Sequence, residues 1–259
     1  MKQMTTVAAA VSIAVVLSAC GGGGDSAPAP TPPPPPTIPA PEGAYAGTTS
    51  TDFELKTVHL ENGSIWGTYG RTVNGVFFVY GLVQANGTYN NGSYASSDVR
   101  DYFYDGSVTA GTLSASYTAG GTFNGSVTSP AGALTFVTNV PASTTYDYNR
   151  AANLASIAGT WTGSTLDGAG TVVSITAAGA VTGSSSGCAF TGSIAPRATG
   201  KNVFNATVTF ANVAACALPG GTATGIAINY PIANSTKSEL VVAIQDATRT
   251  LGDAFIATR

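Results

Sequence analysis

The sequence predicts an all-β protein of two small antiparallel meander barrels, with a pair of β-sandwiches as the alternative. Three observations carry that expectation. Asn-Gly dipeptides stand at 62–63, 74–75 and 86–87, again at 91–92 and 124–125, and Asp105-Gly106 adds another. Such pairs tolerate the positive φ angles of type I′ hairpin turns. The composition agrees: 32 glycines, two methionines and only 9% charged residues suit short strands with many turns rather than helices. Finally, two stretches begin alike, Gly43-Ala-Tyr45-Ala-Gly47 and Gly159-Thr-Trp161-Thr-Gly163. Each opens about 100 residues, enough for a seven- or eight-stranded meander that can close and so remove its exposed edges.

The first β domain is expected over 43–140. Turns twelve residues apart leave strands at 64–73 and 76–85, with others at 52–60, 98–104, 108–117, 122–127 and 134–140. In Val76-Phe77-Phe78-Val79-Tyr80 both faces are apolar, which predicts a central strand covered on both sides. Residues 141–158 form a connector. Its segment 150–157 is the best helical stretch after the first twenty residues, with Leu154 and Ile157 at i, i+3, so one short helix is expected there, ended by Gly159. The second β domain covers 159–259, with strands at 160–162, 171–176, 180–182, 188–194, 203–210, 222–230, 240–245 and 254–258. Phe204, Ala206, Val208 and Phe210 alternate with Asn205, Thr207 and Thr209, the pattern of a half-buried strand.

Before these domains lies a different kind of sequence. Lys2 precedes an apolar run over 7–17 that is too short to span a bilayer as a helix. Leu17-Ser18-Ala19-Cys20 follows, then four glycines, and nine of the 14 prolines fall between Pro28 and Pro41. A polyproline II rod over 27–41 would reach roughly 45 Å at ~3.1 Å per residue. Leu17-Ser18-Ala19-Cys20 resembles the lipobox of bacterial lipoproteins. The resemblance implies a signal peptide over 1–19, acylation of Cys20 with diacylglycerol and palmitate-like chains, and a tether over 20–42. Because no aspartate follows Cys20 directly, it also implies the outer membrane. With Leu154-Ala-Ser-Ile-Ala-Gly159-Thr-Trp161 and Gly187-Cys188-Ala-Phe190-Thr-Gly192, the chain resembles uncharacterised two-domain proteobacterial β-rich lipoproteins. In general plan it is also similar to barrel-bearing lipoproteins that capture host proteins. Neither resemblance transfers an activity or a binding residue.

The chain has three cysteines. Lipidation of Cys20 leaves Cys188 and Cys216 as a pair, expected as a disulfide in an oxidising compartment, with a reduced pair as the alternative. The formal charge of −3 invites no nucleic acid.

No catalytic constellation is legible, so the chain reads as no enzyme, with no cofactor and no metal site. His59 is the sole histidine, and its strand position favours a packed or surface role. Gly183-Ser184-Ser185-Ser186-Gly187 matches a nucleophile elbow in letters only, because no helix or histidine follows. Asp98, Asp101 and Asp105 around Arg100 fit no calcium loop and read as solvated strand charges with one salt bridge. Ten of the eleven tyrosines precede Ala151. Tyrosine beside Asn, Ser and Gly suits adaptable binding surfaces, but tyrosine also suits strands. If a loop binds a protein or glycan partner, the polar stretch 86–97 with Tyr89 and Tyr94, and Tyr102 and Tyr104 nearby, is the candidate. The functional expectation is a membrane-anchored envelope lipoprotein presenting non-catalytic β domains for binding. The alternatives are a structural or envelope-assembly lipoprotein and, last, a hydrolase.

Overall fold

The turn-forming pairs work where both residues can leave the extended region. At Asn91-Gly92, φ is 41° and 90°, and this tight turn joins strand β4 (Val76–Asn90) to β5 (Ser93–Phe103). In the computed structural model, which describes residues 37–73, 76–141, 146–232 and 235–259, short links with a glycine at positive φ also follow β2, β5, β10 and β11, at Gly63, Gly106, Gly179 and Gly187. The expected signal peptide, Cys20 and most of the expected tether lie outside these residues, as does Asn74-Gly75.

Strands β1 (Gly43–Thr49), β2 (Glu54–His59), β3 (Ser64–Val73), β4, β5, β6 (Val108–Tyr117), β7 (Phe123–Ser129) and β8 (Gly132–Asn139) pair in sequence order. β8 returns to β1, so the sheet closes as an antiparallel barrel. The second barrel repeats the plan with β9 (Gly159–Ser164), β10 (Gly170–Ile175), β11 (Ala180–Ser185), β12 (Cys188–Pro196), β13 (Phe204–Phe210), β14 (Thr222–Pro231), β15 (Ser238–Asp246) and β16 (Gly252–Thr258). β16 closes on β9. The chain is therefore all-β, with two closed eight-stranded barrels, and the sandwich alternative is excluded.

The paired openings have a definite task. Tyr45 and Trp161 point inward and are almost fully buried. Two residues on, Gly47 lies opposite Thr138 of β8 and Gly163 opposite Ala257 of β16. A Cβ at Gly47 would strike the Val137 carbonyl, and one at Gly163 the Ile256 carbonyl. Glycine lets first and last strands approach closely enough to pair.

Three expectations change. Asn86-Gly87 makes no turn: β4 runs through it to Asn90, with register shifts at Asn86/Thr88 on β5. Gly87 serves close approach there, since a Cβ would meet the Ala95 carbonyl and the Tyr94 ring. Asn124-Gly125 likewise lies inside β7. The doubly covered strand is β3, whose first seven residues are all buried, whereas Phe78 and Tyr80 are exposed at 52% and 36%. The connector holds one 3-10 turn, Leu154–Ser156, in place of a helix. Asn153 caps it by accepting a hydrogen bond from the Ala155 N–H at 3.0 Å, and Leu154-Ala155-Ser156 gives too few residues to propagate an α-helix.

The barrels pack side by side. Val58, Trp66, Leu82 and Tyr102 on the outside of the first meet Ile226, Ile228, Val241 and Ala254 on the outside of the second. Lys56 pairs with Glu239 at 3.4 Å, Glu61 with Arg197, and Asp98 with Arg249.

Replacing Gly163 by valine should destabilise the protein by about 2–3 kcal/mol, because the new side chain must push β16 off β9. Gly170→Ala is the control, since nothing lies within 4 Å of a Cβ there. Urea unfolding of both variants checks the contrast; equal midpoints would remove the closure role.

Candidate functional site

Eight-stranded barrels are just wide enough to be filled by side chains or to hold one small ligand. The two barrels take opposite choices. The first is filled with aromatic rings. Tyr45, Tyr94, Phe123 and Phe136 pack along its axis with the buried His59. His59 stacks on Tyr45 at 4.5 Å between centroids and meets Phe123 edge-on at 4.2 Å. Its Nε2 shares a hydrogen bond with the Thr57 hydroxyl at 3.0 Å, while Nδ1 has no partner among the described residues. Burial holds the ring neutral by lowering its pKa to about 3.

The second barrel is lined by smaller aliphatic groups. Its lower half is packed. Trp161 is fully buried there and donates from Nε1 to the Ile157 carbonyl at 2.7 Å. Arg259 covers the indole at 3.9 Å and donates to the Ala158 and Ser156 carbonyls at 2.8 and 3.2 Å. Together they seal that end. Above them Val173, Val181, Val208, Ala223, Val242 and Phe255 surround a cavity of about 290 Å³. It opens at the end carrying the β9–β10, β11–β12, β13–β14 and β15–β16 loops.

The mouth is built from both barrels. Tyr102, Tyr104, Ser107 and Val108, from β5, β6 and the turn between them in the first barrel, line one side. Tyr102 is held by packing its ring on Gly252, where a Cβ would come within 2.6 Å of it, and by donating to Gln245 Oε1 at 2.8 Å. Arg249 binds Gln84 Oε1 and Asp98 nearby. On the other side the β13–β14 loop brings Ala215, Ala217 and Leu218 to the cavity. Cys188 and Cys216 are joined as a disulfide with Cα atoms 4.8 Å apart, tying this loop to the start of β12.

Of the tyrosines expected in one binding loop, two lie at the mouth and two do not. Tyr94 is 1% exposed inside the first barrel, where its hydroxyl donates to the Gly63 carbonyl at 2.9 Å. Tyr89 packs on Tyr94 and Tyr117 at 4.9 and 5.9 Å. The stretch 86–97 is a hairpin rather than a long loop. The excess of tyrosine before Ala151 is largely filling material. The acidic trio also separates: Asp98 meets Arg100 at 3.4 Å and Arg249, Asp101 accepts from the Tyr69 hydroxyl at 2.9 Å, and Asp105 caps its own turn through Ser107. Among the described residues no group of three His, Cys, Asp or Glu side chains could hold a metal. Ser185 and Ser186 border the cavity, whereas His59 is buried in the other barrel. Sequence reasoning missed Leu166, Phe190, Ala223 and Asp253. The smallness of the inward residues was the available signal.

No family model matches the chain, and no curated protein matches it. A crystal structure of a DUF3598-family protein of unknown function from Nostoc punctiforme is similar over 84% of this chain and 93% of that one, at 13% identity and a TM-score of 0.24.

Two predictions follow from this chemistry. Between pH 6.5 and 3 the unfolded chain binds a proton at His59 that the folded protein refuses, so stability should fall as pH drops through that window, by up to ~1.4 kcal/mol per pH unit. Asp101 and Asp253, both raised to about 6 by burial, oppose this below pH 6 because the folded state takes up their protons first. His59→Phe isolates the histidine: its urea midpoint should decline less than that of the parent between pH 7 and 4. Separately, the disulfide closes a loop spanning 28 residues, so Cys188→Ser with Cys216→Ser should cost roughly 3–4 kcal/mol. Hydrogen exchange should quicken most over 211–221.

Proposed function

We propose that this chain is a lipid-anchored envelope protein whose second barrel binds one small, largely apolar molecule. The cavity of about 290 Å³ lined by valine, alanine and phenylalanine carries this reading. Such a lining favours apolar matter by roughly 25 cal/mol per Å² removed from water. The volume sits near the lower edge of ligand sites, which run roughly 300–1,000 Å³, and suits a ligand of modest size. The filled first barrel then acts as the wall that completes the mouth through Tyr102 and Tyr104. The role proposed is binding.

The anchor rests on Leu17-Ser18-Ala19-Cys20 and the proline-rich tether. Attachment to the outer membrane through acylated Cys20 would hold the receptor near a source of apolar molecules. A second reading keeps the protein or glycan partner and is favoured by Phe78, Tyr80 and Tyr104, which are exposed at 52%, 36% and 53%. Tyr80 and Tyr104 meet edge to face at 5.8 Å, a surface on which a sugar ring could stack. Loss of glycan or protein capture in a Tyr80→Ala, Tyr104→Ala variant with an intact barrel cavity would favour it.

The cavity reading is tested with N-phenyl-1-naphthylamine, a neutral dye that brightens in apolar surroundings. The lipid-free protein should bind it, and Ala223→Phe should weaken binding by at least about tenfold, or ~1.4 kcal/mol, with the melting temperature little changed. Unchanged dye affinity in a folded Ala223→Phe protein would overturn it. Cys20→Ser should abolish metabolic palmitate labelling and release the protein from membranes.

A further inference from the structure

The cavity has a chemical polarity that its apolar volume alone does not convey. Asp167, Asp246 and Asp253 reach its lining, and among the described residues no lysine, arginine or histidine does. The three carboxylates are not equivalent. Asp246 is consumed by its own hairpin, accepting from Thr248 N–H, the Thr248 and Thr250 hydroxyls and Leu251 N–H. Asp167 caps the β9–β10 turn, taking the Thr165 hydroxyl at 2.6 Å and the Ala169 N–H at 3.0 Å, and is exposed. Asp253 differs. Its Oδ1 accepts from Leu166 N–H at 2.9 Å and its neighbour Ala254 N–H at 2.8 Å, which fixes the side chain. Among the described residues no donor reaches its Oδ2.

Asp253 thus presents one carboxylate oxygen with no donor among the described residues, in a chamber whose walls are mostly apolar. The residue is half-buried and lines the cavity. Burial raises its pKa to about 6, with Asp167 adding to the rise and the two backbone donors opposing it. A buried carboxylate of this kind is costly unless a cation or donor completes it. Among the described residues no cationic side chain lines the cavity to do so.

Resting on the cavity reading above, we propose that the second barrel selects a hydrophobic amine. The apolar body would occupy the space among Val173, Val208 and Phe255, and the protonated amine would meet Asp253 Oδ2, with Asp167 reinforcing the negative field at the rim. The same charges turn away fatty acids and other apolar anions. Specificity comes from repulsion as much as attraction, since an anionic head would sit beside like charge with no countercharge available.

The test uses three probes with one apolar body: 4-phenylbutylamine, 4-phenylbutanol and 4-phenylbutyrate. Each is titrated at pH 7.5 as a competitor of N-phenyl-1-naphthylamine bound to the lipid-free protein. The amine should bind at least about tenfold more tightly than the alcohol, and the carboxylate should fail to compete. Asp253→Asn keeps an oxygen for the two backbone N–H groups and should bring amine and alcohol to nearly equal affinity, leaving that of the alcohol unchanged. Asp167→Asn should reduce the preference for amine over alcohol without removing it. Equal binding of all three probes, or a preference for the carboxylate, would overturn the amine assignment and leave the cavity reading standing. Failure of every probe and of the dye would overturn both. An amine preference that survives Asp253→Asn in a folded protein would remove Asp253 from the assignment.

Discussion

Closure of each sheet on itself is the constraint from which the rest of this structure follows. An open eight-stranded meander would expose two edges and leave its inward side chains without an opposite wall. Here the first strand must come within hydrogen-bonding distance of the last, and a side chain at the seam would prevent it. Gly47 and Gly163 occupy that position, each two residues past a buried aromatic, Tyr45 or Trp161. The aromatic anchors the strand inside the barrel and the glycine admits the partner strand. A cylinder with an interior then exists, and its contents become the variable part.

The two interiors show how side-chain size alone divides a shared architecture into different uses. Rings occupy the first barrel from Phe136 through Phe123 and His59 to Tyr45, in stacked and edge-on contacts between 4.2 and 6.0 Å. Such packing gives a rigid body with no room for a guest. In the second barrel Trp161 and Phe204 fill the sealed end, while alanine and valine at the other end are too short to meet across the axis. The hollow half is open because its residues are small.

The mouth depends on the join between barrels. Tyr102 belongs to the first barrel but is positioned by Gly252 and Gln245 of the second. Arg249 of the β15–β16 hairpin reaches back to Gln84 and Asp98, and Gln84 is held in turn by Asn86 at 2.8 Å and Ser64 at 3.1 Å. These contacts fix the hairpin that carries Asp246 and leads into Asp253. On the far side the Cys188–Cys216 link holds the β13–β14 loop, so two different devices brace opposite walls of the mouth.

The fold class was legible because strand alternation and turn chemistry are local. All eight strands of the second barrel, His59 on the same face as Leu55, and the matched openings at Tyr45 and Trp161 could be read from the chain. Where local reading failed, tertiary contact had overruled it. Asn86-Gly87 has the letters of a turn, yet the Ala95 carbonyl and the Tyr94 ring require a glycine inside a continuous strand. Phe77 to Tyr80 looked doubly covered, yet the companion barrel lies over β3 instead. The candidate site was half legible. Tyr102 and Tyr104 were named from composition, but Tyr89 and Tyr94 proved to be filling. The sequence by itself determined most strands and turns and the number of barrels, because each is written within a short window. Only the tertiary structure decided which barrel is hollow, that Asp253 faces the hollow, and that a hairpin of one barrel walls the mouth of the other. Those facts depend on which side chains meet across an axis and between domains, and residues far apart in the chain settle them together.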